Sequence, residues 1–138
     1  MKMIYLFNFI MGMMLVSISA SSQTLAGHWL GERTDAYIRQ AHIGSIQGNL
    51  YITTNIEDKI TSLIFVPADE TGPIYIDNQS SDILLNGVSK SLKLGKIDIF
   101  SVENSITLIA YKNDFKVIIK ILKKDKNKNL IIVTINKV

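Results

Sequence analysis

His28 and His42 are the only imidazoles in the chain, and they are the first residues to weigh for chemistry. A hydrolytic triad needs a nucleophile, a base and an orienting acid brought together in space. No G-x-S-x-G elbow surrounds any serine: Gly44-Ser45-Ile46-Gln47-Gly48 and Gly87-Val88-Ser89-Lys90-Ser91 both fail the pattern. No serine is followed three places later by lysine, so the Ser-x-x-Lys acylation motif is missing as well. Neither histidine sits in an H-x-x-x-H or H-E-x-x-H pattern, so each reads as an ordinary strand residue and no metal site is expected. Asp77, Asn78 and Asp82 form an oxygen-rich stretch without calcium-loop spacing, which reads as a turn whose side chains bond their own backbone. The chain has no cysteine, which excludes disulfides, thiolate metal ligands and cysteine nucleophiles. No catalytic residue and no cofactor is expected.

Charge is the second source of function. The formal charge is +3, but it is unevenly spread. From Lys112 onward there are eight lysines against Asp114 and Asp125. Lys116, Lys120, Lys123, Lys124, Lys126 and Lys128 are therefore a candidate basic surface patch. Such a patch suits anionic partners, whereas its plain reading is a solvated hairpin whose lysines guard an edge against aggregation. Aromatic residues for base stacking are not interleaved with these lysines, which argues against nucleic acid.

The elements that must position these residues start after a leader. Lys2 is followed by an almost unbroken apolar run from Met3 to Ile18, then by Ser19-Ala20-Ser21-Ser22. A charged start, an apolar run and small residues are the order of a secretory signal peptide. The expected organisation is a signal peptide over 1–22, cleaved after Ser22 with cleavage after Ala20 as the alternative, and a single β domain over 23–138. The apolar run of about 16 residues is short for a bilayer span of about 20, so no transmembrane segment is expected after cleavage. Export without cysteine favours a bacterial periplasmic or secreted protein over an animal secretory domain.

Past the leader the chain reads as short strands. Period-2 alternation recurs in stretches rich in Ile, Val, Tyr, Phe and Thr. The expected strands are Gly27 to Arg33, Leu50 to Ile56, Ile60 to Val66 (ending at Pro67), Ile74 to Asp77, and Asp82 to Asn86. Asn78 to Ser81 reads as a turn, and Asn86-Gly87 as a hairpin signal. Leu92, Leu94, Ile97 and Ile99 change parity across Gly95, which suggests a bulge. Ile106, Leu108 and Ala110 share a face, and Phe115, Val117, Ile119 and Ile121 alternate with Lys116 and Lys120. A polar turn over Lys123 to Asn129 and a return over Leu130 to Ile135 complete the clearest hairpin. Thr34 to His42 is the one place for a helical turn. About nine short strands argue for an all-β fold, a single antiparallel barrel with a β-sandwich as the alternative.

Leu25-Ala26-Gly27-His28-Trp29-Leu30-Gly31-Glu32 carries the only tryptophan. Its Gly27-x-Trp29 pair resembles the opening of lipocalin-like (calycin) barrels. The same stretch, with Ile64-Phe65-Val66-Pro67, Gly72-Pro73-Ile74-Tyr75-Ile76 and Asp82-Ile83-Leu84-Leu85, is similar to the small G-x-W-x-G β-domain that precedes the catalytic domain of some secreted bacterial α/β-hydrolases. The first resemblance implies a Trp29 that closes one end of a barrel. A closed barrel of this size has room for one small ligand. The expected function is then binding of a small apolar ligand against Trp29, Leu50, Ile52, Phe65, Leu108, Val117 and Ile119. The alternatives are an interaction domain acting on another envelope protein through its surface, including the Lys112–Lys128 hairpin, and an accessory protein associated with a hydrolase.

Overall fold

The computed structural model describes residues 23–138. The expected signal peptide lies outside the described residues.

Where alternation is strongest, strands form as expected. β1 (Ile38–Ile43), β2 (Ile46–Thr54) and β3 (Ile60–Asp69) make an antiparallel meander, and the two-residue β4 (Gly72–Pro73) folds back on the end of β3. After the helix α1 (Asn78–Leu92) come β5 (Asp98–Val102), β6 (Ser105–Lys112), β7 (Phe115–Asp125) and β8 (Lys128–Lys137). The chain's last strand pairs with β3, so the sheet order is β1-β2-β3-β8-β7-β6-β5, all antiparallel. β1 and β5 are its two edges.

The sheet is not closed into the expected barrel: no pairing joins β1 to β5 among the described residues. The covering layer is α1. Successive partners Leu50↔Phe65, Phe65↔Val133, Ile119↔Val133 and Leu108↔Ile119 put one face of the sheet in register as a continuous apolar surface. Leu84, Val88 and Leu92, all fully buried, press onto that face from one stripe of α1. A helix packed on the apolar face removes the need for the sheet to close on itself to bury that side.

The helix replaces the expected turn, strand and hairpin between Asn78 and Gly87. Asp77 caps it: its carboxylate accepts the Ser80 N–H at 2.7 Å, and its backbone carbonyl accepts the Ser81 N–H at 2.9 Å. Lys93 ends it in the left-handed region. Asn86 and Gly87 are weak helix formers, but a Cβ on Gly87 would stand 2.7 Å from Cγ2 of Ile43. Glycine therefore lets α1 close onto β1, and that contact outweighs the local turn preference.

Asn129, buried in β8, anchors the start of the helix. Its amide donates to Oδ1 of Asn78 and to Oγ of Ser81, each at 2.9 Å, and its Oδ1 accepts from Lys123 Nζ at 2.9 Å. Every polar valence that a buried amide must fill is thereby paired.

Other expectations are corrected locally. Thr34 to His42 holds no helical turn, because β1 occupies Ile38–Ile43. Gly27 to Arg33 is a turn segment with isolated bridges, Leu25↔His28 and Arg33↔Lys59. β3 runs on through Pro67 to Asp69. Proline is tolerated there because β3 parts from β8 after Phe65↔Val133, so its missing N–H faces no ladder partner on that side. Ile74 to Asp77 is no strand, and only Ile76 makes a bridge, to Asn129. Gly95 marks no bulge; Lys93 to Ile97 simply connects α1 to β5. The register shifts lie elsewhere, at Thr53/Thr54 and Lys123/Asp125. The β7–β8 hairpin forms as expected, but its turn is shorter than the expected Lys123 to Asn129: β7 runs on to Asp125 and β8 starts at Lys128.

Candidate functional site

The residues expected to line a ligand chamber are where the alternation puts them, but they enclose no chamber with Trp29. Leu50, Ile52, Phe65, Val117 and Ile119 are buried in the core beneath α1, and Leu108 is half-buried against it. Trp29 is set apart from them, in the segment before β1, with 37% of its surface exposed. It is a cleft wall and not a core plug.

Short-range bonds hold that segment. Leu25 and His28 exchange backbone hydrogen bonds of 2.8 and 3.0 Å across a two-residue turn, Ala26-Gly27, in which both residues have positive φ. Leu25 is fully buried and nails the turn to the core. Gly31 N–H donates to the Ile60 carbonyl, and Ile60 N–H to the Glu32 carbonyl, both at 2.8 Å, which ties the segment to the start of β3. The Glu32 carboxylate accepts from Nδ1 of His28 at 2.9 Å and from the Trp29 backbone N–H at 3.3 Å. The indole is therefore presented by a braced turn.

The cleft that Trp29 borders has a volume of about 200 Å³. Leu30, Leu92, Phe115 and Ile135 supply its apolar floor, and Gln23, Asp114 and Lys137 its polar rim. Asp114 sits at the β6–β7 turn and Lys137 at the end of β8. Neither belongs to an ion pair; among the described residues the two ion pairs are His28–Glu32 and Lys59–Glu57. An aromatic face, an apolar floor and one unpaired charge of each sign thus meet in one small concavity. A dry apolar cavity of about 150 Å³ already takes a benzene ring, so a group of that size fits.

The two histidines, expected on separate elements, border one shallow groove with Gln40, Ala41 and Gly27. The His42 Nδ1 lies 3.1 Å from the Gly44 carbonyl. A carbonyl or carboxylate beside Nδ1 in both rings fixes the proton there and leaves Nε2 as the open nitrogen. No group of three or more metal-ligating side chains occurs among the described residues. Close by, the Thr71 hydroxyl and then its backbone N–H, both donating to Asp69, hold that carboxyl below its ordinary value.

The basic hairpin is not one patch. Lys123 turns back to Asn129, and the Lys124 ammonium lies 4.8 Å from the centre of the Tyr75 ring. Lys116 lies 5.7 Å from the Tyr111 ring. Lys116 and Lys120 share the face of β7 opposite the core, while Lys126 and Lys128 stand exposed at the β7–β8 turn. That Asp114 and Lys137 line one cleft is not legible in the sequence. Phe115↔Lys137 is a register pair between β7 and β8, and only the register brings those neighbours together.

Comparison with protein families, with curated proteins and with solved structures finds no match.

Proposed function

We propose that the chain is an exported binding module that holds, and does not convert, a small amphoteric molecule in the Trp29 cleft: an apolar group flanked by one cationic and one anionic end, as in a free hydrophobic amino acid. The observation that carries this reading is the half-exposed indole beside two charges of opposite sign that have no partner of their own. The apolar group lies against Trp29 and Phe115, the ammonium reaches Asp114, and the carboxylate reaches Lys137. Burying an aromatic wall against a ligand supplies non-specific affinity, and the charged pair supplies orientation. The sequence of a charged start, an apolar run and small residues over 1–22 supports export. The α1-filled core supports placing the ligand at this cleft and not among Leu50, Ile52, Phe65, Val117 and Ile119.

Trp29 is the only tryptophan, so intrinsic fluorescence reads the site without a label. Titration with a panel of hydrophobic amino acids is expected to shift its emission saturably. Asp114→Asn and Lys137→Met each weaken binding by about ten- to a hundredfold, the worth of one charge-assisted hydrogen bond. Binding that is unchanged in both variants, or no emission change with any member at millimolar concentration, refutes the reading.

A further inference from the structure

The fold brings the two histidines, which no sequence motif links, to the border of one groove. Its walls are the Ala26-Gly27-His28 turn and the Gln40-Ala41-His42 stretch of β1. It encloses about 330 Å³, the room of about two benzene rings, so an ion in its middle is within a side chain's reach of both walls. Each imidazole is held from behind. Nδ1 of His28 donates to the two Glu32 carboxylate oxygens at 2.9 and 3.0 Å, and Nδ1 of His42 donates to the Gly44 carbonyl at 3.1 Å. A metal-ligating histidine almost always gives its second ring N–H to a carboxylate or a backbone carbonyl. That bond fixes the tautomer and the ring orientation, and it raises the basicity of the free nitrogen. Both imidazoles of the chain have this arrangement. The backbone beneath each is fixed too: Leu25 ties the turn to the core, and His42 pairs with Gln47 in the β1–β2 ladder.

We propose that His28 and His42 together bind one divalent first-row transition-metal ion through Nε2, and that Cu²⁺ is held most tightly. Imidazole nitrogen suits copper, nickel and zinc, whereas magnesium and calcium call for oxygen cages that this groove does not offer. Gln40 stands two residues before His42, on the same side of β1, and borders the same groove, so its amide oxygen is a third donor on that wall. Water completes the coordination. A mixed nitrogen and oxygen set with open positions is the tetragonal environment that Cu²⁺ prefers, and affinity at such sites rises along the row to copper and falls at zinc. The neighbouring charges favour a cation. Glu32 backs His28, and Asp69 and Glu70 border the adjoining hollow with Gln40 and His42. Lys90, which shares a further hollow with His42, is the opposing charge. The groove has no lining residue in common with the Trp29 cleft, so this proposal stands independently of the ligand assigned to that cleft.

The test is titration of tag-free protein, expressed from the full chain, with Cu²⁺ alone. It is followed by Trp29 emission, which a paramagnetic ion beside His28 quenches, and by electron paramagnetic resonance at one equivalent. Saturation in the micromolar range at one ion per chain is expected, with a spectrum showing two nitrogen donors. Zn²⁺, which does not quench, displaces the copper only in excess. His28→Gln and His42→Gln each remove one nitrogen from the spectrum and weaken binding by at least tenfold, and the double variant does not bind. Glu32→Gln weakens binding by about ten- to a hundredfold, the worth of a partner that orients a ligand, and keeps both nitrogens. Circular dichroism confirms that each variant is folded. His42 is exposed, so His42→Gln decides if His28→Gln does not fold. Saturation only at millimolar copper marks an adventitious ion only and overturns the proposal. So does binding that persists in the double variant, which assigns the ion to the N-terminal amine or to carboxylates. A copper on each histidine separately, or one that links two chains through one histidine each in sedimentation velocity, overturns it as well.

Discussion

Leu84→Ala tests whether α1 is the lid of the core. Leu84 is fully buried, in the same stripe as Val88 and Leu92 at helical spacing. Loss of a leucine side chain from such a site costs about 2.7 to 5 kcal/mol, the upper part of that range where the surroundings cannot collapse. Here the other wall is a hydrogen-bonded sheet, which resists collapse, so a cost of about 3.5 kcal/mol is expected. For a domain of this size that lowers the melting midpoint by roughly 12 to 15 °C. Val88→Ala removes two buried methyls and costs about 2 kcal/mol. Ile83, on the opposite side of the helix and 39% exposed, serves as the control, and Ile83→Ala costs less than about 1 kcal/mol. The assay is urea unfolding followed by far-ultraviolet dichroism and Trp29 emission. If Asp82 to Asn86 were a strand turning at Gly87, Val88 would lie beyond the turn and its truncation would be nearly silent. A cost at Leu84 no larger than that at Ile83, or a silent Val88→Ala, refutes the helix-on-sheet core.

Gly48 and Gly95 should respond in opposite directions. A Cβ on Gly48 would stand 2.3 Å from the Val66 carbonyl oxygen and 2.7 Å from Cζ of Phe65. Gly48→Ala is therefore expected to cost about 3 kcal/mol or more, since backbone cannot step aside as a side-chain end can. A Cβ on Gly95 meets nothing within 4 Å, so Gly95→Ala stabilises by about 0.4 to 1 kcal/mol through the unfolded chain. Thermal melts of the two variants check both signs. The Asp77 cap gives a pH signature. The Ser80 backbone N–H, then the Ser80 hydroxyl and more weakly Lys128, hold its carboxyl below the ordinary 3.8, against a small opposing effect of desolvation. A folded pKa below the unfolded one means that the stability from this group is present above pH 3.8 and is lost as pH falls through the folded pKa. Asp77→Asn keeps the cap but removes that acid-side loss, whereas Asp77→Ala loses helix content at all pH values. Acid titration of stability in the two variants separates these outcomes.

Much of the fold was legible because strand periodicity is local. Phe115, Val117, Ile119 and Ile121 alternate with Lys116 and Lys120, and any strand with that order must turn the first set toward a core. The β7–β8 hairpin and the shared face of Ile106, Leu108 and Ala110 follow from the residues alone. So does the burial of Leu50, Ile52 and Phe65. The helix was not legible in this way. Asp82-Ile83-Leu84-Leu85 satisfies either period over so short a run, and Asn86-Gly87 has the composition of a turn. The signals that favour a helix were the Asp77 cap and the spacing of Leu84, Val88 and Leu92, and they become decisive only against a sheet that needs a lid.

The chain's own residue order determined that it builds antiparallel strands, which side of each strand is apolar, that thiol chemistry is absent, and where its lysines cluster. Tertiary structure decided the rest: that α1 and not closure of the sheet covers the core, that Trp29 borders a cleft, and that Asp114 and Lys137 both lie on its rim. The physical reason is range. Alternation and composition act between neighbours in the chain, whereas sheet order, the lid and the cleft depend on partners such as Ile43 with Gly87, or Phe65 with Val133, whose distance along the chain carries no mark in either residue.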